Sequence, residues 1–411
     1  MAARVTGRGL RDTAGRMVNR VWLGVAVLLP FIWFVLHGGQ LVTEPTEVAL
    51  WAGLAIFGAA FLLSWGCEVV QLDIPQALAL ALLALIAVLP EYAVDMYFAW
   101  QAGKDPTYTA FATANMTGAN RLLLGVGWAV PVLINWARYR HSTVTLPREG
   151  AVEIRYLAFA TAYSFIIPWK GTLNVLDTLI LLALFAAYVR AASQAHHTEP
   201  ELEGPAEMIA GWGAGPRRVA VAVLGVIAGA AILSAAEPFA ESLIEVGRHW
   251  GVEEFLLVQW LAPLASESPE FIVCILFAWR GLASAGISTM VSSKVNQWTL
   301  LVGALPLVFS ISAAHLGPML LDDRQREEIF LTSAQSLFGL MIIANYSFGV
   351  LEALALFVLF VVQLLLPSPH ARWIFAWIYI ALAVGMSAIS RETRQGVAQL
   401  LGGAQRRRTL S

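Results

Sequence analysis

The sequence has few charged residues and few cysteines. Asp, Glu, Lys and Arg make up 13% of its 411 residues and hydrophobic residues make up 58%, whereas a soluble domain carries about 25% charge. The formal net charge of −2 lacks the basic excess typical of nucleic-acid binding. Cys67 and Cys274 form neither a disulfide framework nor a CxxC metal spacing, and no HExxH or other catalytic motif occurs. These absences argue against a soluble protein, a nucleic-acid partner and an enzyme.

The sequence consists largely of long apolar stretches. A membrane span needs roughly 20 apolar residues, and the short connections between spans predict one integral domain. The first span carries no mark of a cleaved signal, so we expect it to be retained. We predict an all-α polytopic membrane protein with about twelve transmembrane helices, near residues 21–40, 47–70, 75–100, 107–137, 151–168, 174–193, 219–245, 254–280, 286–312, 327–346, 348–366 and 372–390.

The positive residues favour one orientation in the membrane. Cytoplasmic loops near span ends collect Lys and Arg, and a cytoplasmic N-terminus puts most of the 26 Lys and Arg residues on that side. We therefore expect both termini to be cytoplasmic and the protein to lie in the cell (plasma) membrane. The acidic stretch near 194–218 is read as a solvated linker, with a regulatory ion-binding loop as the alternative.

One segment of the sequence occurs twice. Residues 89–91 and 268–270 each end in Pro-Glu, and each copy closes on Phe-Ala-Trp, at residues 98–100 and 277–279. Each half supplies five spans, and because five is odd the second half must cross the membrane in the opposite sense. We predict five parts: a basic N-terminus with an extra first helix at 1–46, the first five-helix repeat at 47–193, the linker at 194–218, the second repeat at 219–366, and an extra last helix with a basic tail at 367–411.

The two duplicated glutamates are the first candidate site. A carboxylate inside a membrane span costs roughly 3 kcal/mol on insertion scales and is functional by default, so Glu91 and Glu270 suggest a cation site between the repeats. Each follows a proline, which frees backbone carbonyls near residues 86–87 and 265–266. Calcium takes about six to eight oxygens, and Asn115 and Ser266 are further oxygen donors. The alternative is a pair of structural acids.

Two more acids are specific to one half. Asp95 lies one helical turn after Glu91, and two close carboxylates raise each other's pKa, which makes Asp95 a candidate proton acceptor. The residue opposite Asp95 is Cys274. Glu267 precedes Glu270 by three residues. The alternative for both acids is exposure to an aqueous vestibule.

The paired segments resemble the calcium/cation antiporter superfamily of the sodium/calcium exchanger type. The family's Gly-Thr-Ser-Leu-Pro-Glu run falls on residues 86–91 and 265–270, and its Gly-Asn-x-x-Gly-Ser-Asn run falls on 114–120 and 290–296, ending at Asn120 and Asn296. The resemblance spans about 47–366.

The resemblance implies roles for individual residues and a function for the protein. It implies that Glu91 and Glu270 are the central ion ligands and Asn115 a second-helix ligand. It further implies an alternating-access antiporter that exchanges a divalent cation, expected to be calcium, for protons or sodium. The expected partners are therefore inorganic cations and the lipid bilayer, with no cofactor.

Two positions depart from the family pattern. Val291 lies where the family has an asparagine or an acid, and Lys294 lies where the central glycine belongs. The Lys294 ammonium is interpreted as a tethered cation beside Glu270, Glu91 or Asp95, which makes sodium coupling doubtful and favours protons. Alternatively its stem snorkels to the cytoplasmic surface.

Arg121, next to Asn120, either neutralises an acid such as Asp95 or lies towards a helix end. Two other functions compete with calcium antiport. One is the same fold carrying another cation or a charged solute, with Lys294 as the tethered cation. The other is a non-transporting membrane receptor or scaffold that holds a permanent salt-bridge cluster.

Overall fold

The computed structural model describes residues 2–73, 89–194, 202 and 204–401. The carbonyls expected near residues 86–87, most of the third expected span and part of the linker lie outside the described residues. The helices are α1 Ala2–Gly38, α2 Pro45–Val70, α3 Leu89–Ala102, α4 Tyr108–Leu122, α5 Ala129–Tyr139, α6 Ala151–Ser164, α7 Ile166–Lys170, α8 Val175–Ala192, α9 Pro205–Ala210, α10 Ala214–Trp250, α11 Glu254–Trp279, α12 Ala283–Asn296, α13 Val302–Ala313, α14 Asp323–Ile343, α15 Val350–Leu365, α16 Pro369–Ile389 and α17 Arg391–Leu401.

The helices confirm the all-α polytopic membrane fold. Within the described ranges, eight helical stretches are long and apolar enough to cross a membrane, and two of these are composite, Tyr108–Tyr139 and Ala283–Ala313. Each of the twelve expected spans contains a helix. The four expected spans that are not among these eight contain α3, α6 with α7, α14 and α15. Helices α3, α6, α7 and α15 are shorter, α3 being described only from residue 89, and α14 is more polar.

The chain divides into two compact units, which do not coincide with the sequence halves. The first unit is Met1–Tyr97 with His196–Glu270, and the second is Phe98–Ala195 with Phe271–Ser411. Each unit takes helices from both halves, and the division falls within α3 and within α11. The repeat boundaries at 47–193 and 219–366 therefore describe a sequence relationship and stay a prediction.

In the first unit, small residues let long helices pack closely. α10 packs along α2, and α1 packs on α2. Alanines are fully buried on both helices of the α2 and α10 pair, which is how helices approach each other in membranes. Gly53 faces Phe239, whose Cε2 would be 2.9 Å from a Cβ at that position. A larger residue at position 53 would push the two helices apart.

A polar contact fixes the ends of the same two helices. Arg217 donates from Nε and Nη2 to the two oxygens of Asp73, both at 2.8 Å, and Arg218 Nε donates to Asp73 at 3.0 Å. These hydrogen bonds lower the pKa of Asp73 to about 2. The carboxylate therefore stays ionised above that pH, and the contact between the end of α2 and the start of α10 persists at neutral pH.

The second unit shows the repeat in its backbone. Strand β1, Thr143–Thr145, follows the composite helix of the first half, and β3, Met319–Leu320, follows that of the second half. Strands β2, Thr172–Leu173, and β4, Ser347–Gly349, each lie just before the last helix of their own half. β1 pairs with β4 and β2 pairs with β3, both antiparallel. The repeat relates β1 to β3 and β2 to β4, so it maps one strand pair onto the other, as a pseudo-two-fold relationship requires.

Two π-helical segments repeat in the same way. Leu123–Trp128 joins α4 to α5, and Gln297–Leu301 joins α12 to α13. They begin soon after Asn120 and directly after Asn296, which are matched residues of the repeat. π-helical turns occur frequently at functional sites. The residues that precede each of the two segments are therefore candidates for a functional site.

The β1 and β4 register predicts a specific cross-link. Leu146 N–H donates to Tyr346 O and Val350 N–H donates to Ser142 O, so Thr145 and Ser347 form a pair without mutual hydrogen bonds. Such pairs have Cα atoms about 4.5 Å apart, within the range of about 4.4–6.8 Å for disulfides. With Cys67 and Cys274 replaced by alanine, Thr145→Cys with Ser347→Cys should form a disulfide on mild oxidation, detected by mass spectrometry of the digest.

The control for this cross-link is Thr143→Cys with Ser347→Cys, which is two residues out of register. It should form little disulfide under the same oxidation. Equal yields in the two variants would contradict the register.

Candidate cation site

The duplicated glutamates both lie in the first unit. Glu91 is near the start of α3 and is 3% exposed, and Glu270 is in α11. The two carboxylates are close enough to act electrostatically on each other. Within the described residues, Glu270 Oε2 is buried without a hydrogen-bond partner. The structure therefore brings the two duplicated carboxyl groups into one unit, and their role as ion ligands stays a prediction.

Prolines shape the helix around Glu270. Pro263 and Pro269 both lie inside α11, and Pro269 has no N–H for the Ala265 carbonyl one turn earlier. The Ser266 hydroxyl donates to Ala262 O at 3.1 Å, so its oxygen lone pairs stay available as an acceptor. The local sequence therefore places carbonyl and hydroxyl oxygens one turn before the carboxylate.

The two half-specific acids are buried too. Asp95 is fully buried on α3 and Glu267 is 4% exposed on α11. The vestibule interpretation, which requires exposure to water, does not fit either residue in this structure. In the part of the chain that the structure describes, no three His, Cys, Asp or Glu side chains cluster as metal ligands. A divalent cation at Glu91 and Glu270 would therefore need backbone, amide or hydroxyl oxygens as well.

The second unit holds the asparagines. Asn115 is fully buried on α4, and neither its Oδ1 nor its Nδ2 has a hydrogen-bond partner among the described residues. Asn296 at the end of α12 is 5% exposed, and its Oδ1 also lacks a partner there. Buried amides are almost always hydrogen-bonded, and an exception points to a water, an ion or a functional role.

Lys294 is buried and its ammonium is bound. The residue is fully enclosed, and its Nζ donates to Asn120 O at 2.8 Å and to Asn120 Oδ1 at 2.7 Å. The same nitrogen lies 5.3 Å from the ring centre of Trp298. The snorkelling interpretation is therefore wrong, because Asn120 holds the ammonium inside the second unit. Val291, one turn earlier on α12, is buried as well.

Arg121 is also buried, and it neutralises an acid. Its Nη2 lies 2.7 Å from Glu328 Oε2 on α14, and both side chains are nearly inaccessible. Arg372 on α16 approaches the same carboxylate at 3.7 Å and Glu327 at 2.9 Å. Arg121 lies in the last turn of α4, as the helix-end interpretation expected, and it also takes part in a chain of buried charges with Glu328 as its partner.

Glu328 and Arg372 are not among the site residues expected from the sequence. The signal for Glu328 was available, because Ile154 and Ile329 are matched in the repeat and each follows a glutamate, at positions 153 and 328. Arg372 had no such signal, since it lies in the last helix, outside the repeat.

The structure groups the candidate residues by unit. Glu91, Asp95, Ser266, Glu267 and Glu270 belong to the first unit. Asn115, Asn120, Arg121, Lys294 and Asn296 belong to the second unit.

The buried ion pair yields a stability prediction. Glu328→Leu should lower the free energy of unfolding by about 3–5 kcal/mol, because Arg121 loses a buried counter-ion. Adding Arg121→Met should recover most of that loss, since neither charge is then left buried. Denaturation of the purified variants in detergent measures both changes. Losses that simply add in the double variant would contradict the pairing.

Comparison with known proteins places this geometry in a family. Residues 46–193 and 220–368 match the family model of the sodium/calcium exchanger protein. A crystal structure of the H⁺/Ca²⁺ exchanger CAX is 42% identical, with 93% of this chain and 97% of that chain covered and a TM-score of 0.88.

More distant structures share the fold. Native YfkE is 16% identical over 89% of this chain and 100% of that chain, with a TM-score of 0.60. The sodium-calcium exchanger NCX_Mj, soaked with Na⁺ and Sr²⁺, is 15% identical over 82% of this chain and 98% of that chain, with a TM-score of 0.51. Comparison with curated proteins gives no match. The predicted resemblance is confirmed, and the chain belongs to the sodium/calcium exchanger protein family.

Proposed function

We propose that this protein is a secondary active antiporter that moves calcium in exchange for protons. The observation that carries the proposal is the pair formed by the buried Glu91 and by Glu270, whose Oε2 is buried, because the two carboxyl groups act electrostatically on each other in one unit. The exchanger that is 42% identical is described as an H⁺/Ca²⁺ exchanger, which supports both the cargo and the counter-ion. In this proposal the protein is a transporter and not an enzyme.

The mechanism rests on charge balance. Two adjacent carboxylates in a low-dielectric interior repel each other, and this repulsion is relieved either by one divalent cation or by protons. An empty, doubly charged site is therefore the least stable state, which favours exchange of calcium for protons over release of calcium alone. Asp95, one turn from Glu91, is the proposed additional proton acceptor.

The proposed ligand set is mixed, as calcium requires. Glu91 and Glu270 supply carboxylate oxygens, and Ser266 and the carbonyls near residues 265–266 supply neutral oxygens. Asn115 is the proposed second-helix ligand, supported by its buried amide without a hydrogen-bond partner among the described residues. Glu267 is proposed as a further acid near Glu270.

Transport follows from the inverted repeat. Two halves of opposite orientation offer the site to one face of the membrane and then to the other by alternating access. The proposed setting is the plasma membrane, with both termini cytoplasmic, on the basis of the Lys and Arg distribution.

Lys294 bears on the choice between protons and sodium. Its fixed ammonium is a buried positive charge in the second unit, and fixed positive charge disfavours additional sodium ions. The same observation favours a second candidate function, in which the fold carries another cation or a charged solute. A fixed salt-bridge scaffold is the third candidate, in which no cargo moves.

The proposal predicts which glutamates are essential. In proteoliposomes with an imposed pH gradient, Glu91→Gln and Glu270→Gln should each abolish calcium flux, because the neutral amide cannot balance a divalent cation or exchange a proton. Fluorescent calcium indicators inside the vesicles measure the flux, and size-exclusion profiles report on folding.

The matched control is Glu254→Gln at the start of the same helix α11, where a partly exposed glutamate pairs with Arg248. It should transport normally. Undiminished calcium flux in both Glu91→Gln and Glu270→Gln would overturn the proposal. Flux driven by a sodium gradient but not by a pH gradient would overturn the proton assignment alone.

A further inference from the structure

The surroundings of the Lys294 ammonium have the chemistry of a monovalent-cation site. Two oxygens of one residue, Asn120 O and Oδ1, lie 2.8 and 2.7 Å from Nζ. The Trp298 ring offers its face at 5.3 Å, and indole faces attract ammonium groups. These groups come from α4 and from the turn after α12, so the site is built by the fold and not by the lysine alone.

The spacing suits a singly charged ion of ammonium size. The distances are those of N–H···O hydrogen bonds, and they exceed the range of about 2.3–2.6 Å that calcium takes to oxygen. The two Asn120 oxygens that accept these hydrogen bonds are neutral, which suits a monovalent cation better than a divalent one. The proposed calcium ligands Glu91 and Glu270 are carboxylates, so the two positions differ in chemistry.

The repeat supplies an internal comparison. Asn296 is the counterpart of Asn120, but the residue opposite Lys294 is Gly118, which has no side chain. The contact equivalent to that of Lys294 with Asn120 would join position 118 to Asn296, and Asn296 Oδ1 has no hydrogen-bond partner among the described residues. The asparagine is thus present in both halves, whereas the ammonium that binds it is present in one.

We propose that Lys294 supplies, from the chain itself, the monovalent cation of a site built by Asn120 and Trp298. Removal of the ammonium then opens this site to a free monovalent cation, with ammonium and potassium as the expected ligands. The inference goes beyond calcium antiport, because it concerns a second cation position and holds whether or not calcium is the cargo.

The test is cation rescue of Lys294→Ala. The purified variant is melted in choline chloride, a cation too large for the site, and then with ammonium, methylammonium, potassium or sodium replacing choline at constant ionic strength. The variant should melt below the wild type in choline. Saturating ammonium or potassium should raise its Tm by at least about 3 °C more than that of the wild type.

Three variants make the result specific. Lys104→Ala removes an exposed lysine whose Nζ lies 5.6 Å from the Trp100 ring centre, and it should show no cation response. Adding Asn120→Ala to Lys294→Ala removes Oδ1 and should reduce the response severalfold. Adding Asn296→Ala to Lys294→Ala changes the counterpart asparagine and should leave the response intact.

Several outcomes would overturn the inference. One is a Lys294→Ala variant whose Tm rises no more with ammonium or potassium than that of the wild type. Another is a response to calcium alone, or a response unchanged by Asn120→Ala. If Lys294→Ala accumulates under none of these salts while Lys294→Met folds, the lysine serves packing and the inference fails. None of these readouts uses transport, so they are independent of the flux results for Glu91 and Glu270.

Discussion

A charge inside a membrane-spanning bundle has to be neutralised by another charge or by oriented dipoles, since lipid and packed side chains offer little solvation. The second unit does this with groups of the chain. Arg121 has Glu328 at 2.7 Å, Arg372 has Glu327 at 2.9 Å, and Lys294 has the oxygens of Asn120. The first unit instead holds Glu91 and Glu270, two acidic groups that act electrostatically on each other. The buried ion pairs of the second unit neutralise their charges within the chain, whereas the pair Glu91 and Glu270 is the one for which we propose a mobile cation.

Much of the fold could be predicted because its signals are local. Apolar length locates the spans, and the duplicated Pro-Glu segments reveal the repeat. The strand pairs could not be predicted, since segments as short as Thr172–Leu173 have no alternating pattern to recognise. Their pairing joins opposite halves of the chain, and no local pattern encodes such a long-range contact.

The candidate site shows where sequence reasoning stops. The span expected near 327–346 places Glu328 at its very start, so its position in the span gives no reason to expect that Glu328 is buried. The helix begins instead at Asp323, after a capping box in which Asp322 and Gln325 exchange hydrogen bonds, and Glu328 is carried more than a turn into the helix and buried. The direction taken by Lys294 could not be predicted either. The flexible four-carbon stem of a lysine can reach the membrane surface or a neighbouring helix equally well. The Lys294 ammonium binds a neighbouring helix because Asn120 lies there, and the position of Asn120 is not visible in the sequence around Lys294.

The two halves of the repeat are more alike in their backbone structure than in the charges of their matched residues. The last helix of each half begins with the same contact: the Asn174 N–H donates to Asp177 and the Gly349 N–H donates to Glu352, both at 2.7 Å. The matched pairs Arg121 and Gln297, Gly118 and Lys294, and Asp95 and Cys274 are unlike in charge. The alternating access that we propose requires two halves that can exchange conformations, which a symmetric backbone provides. The ionisable groups have no such requirement, so the proposed proton acceptor Asp95 and the buried ammonium of Lys294 are each present in one half.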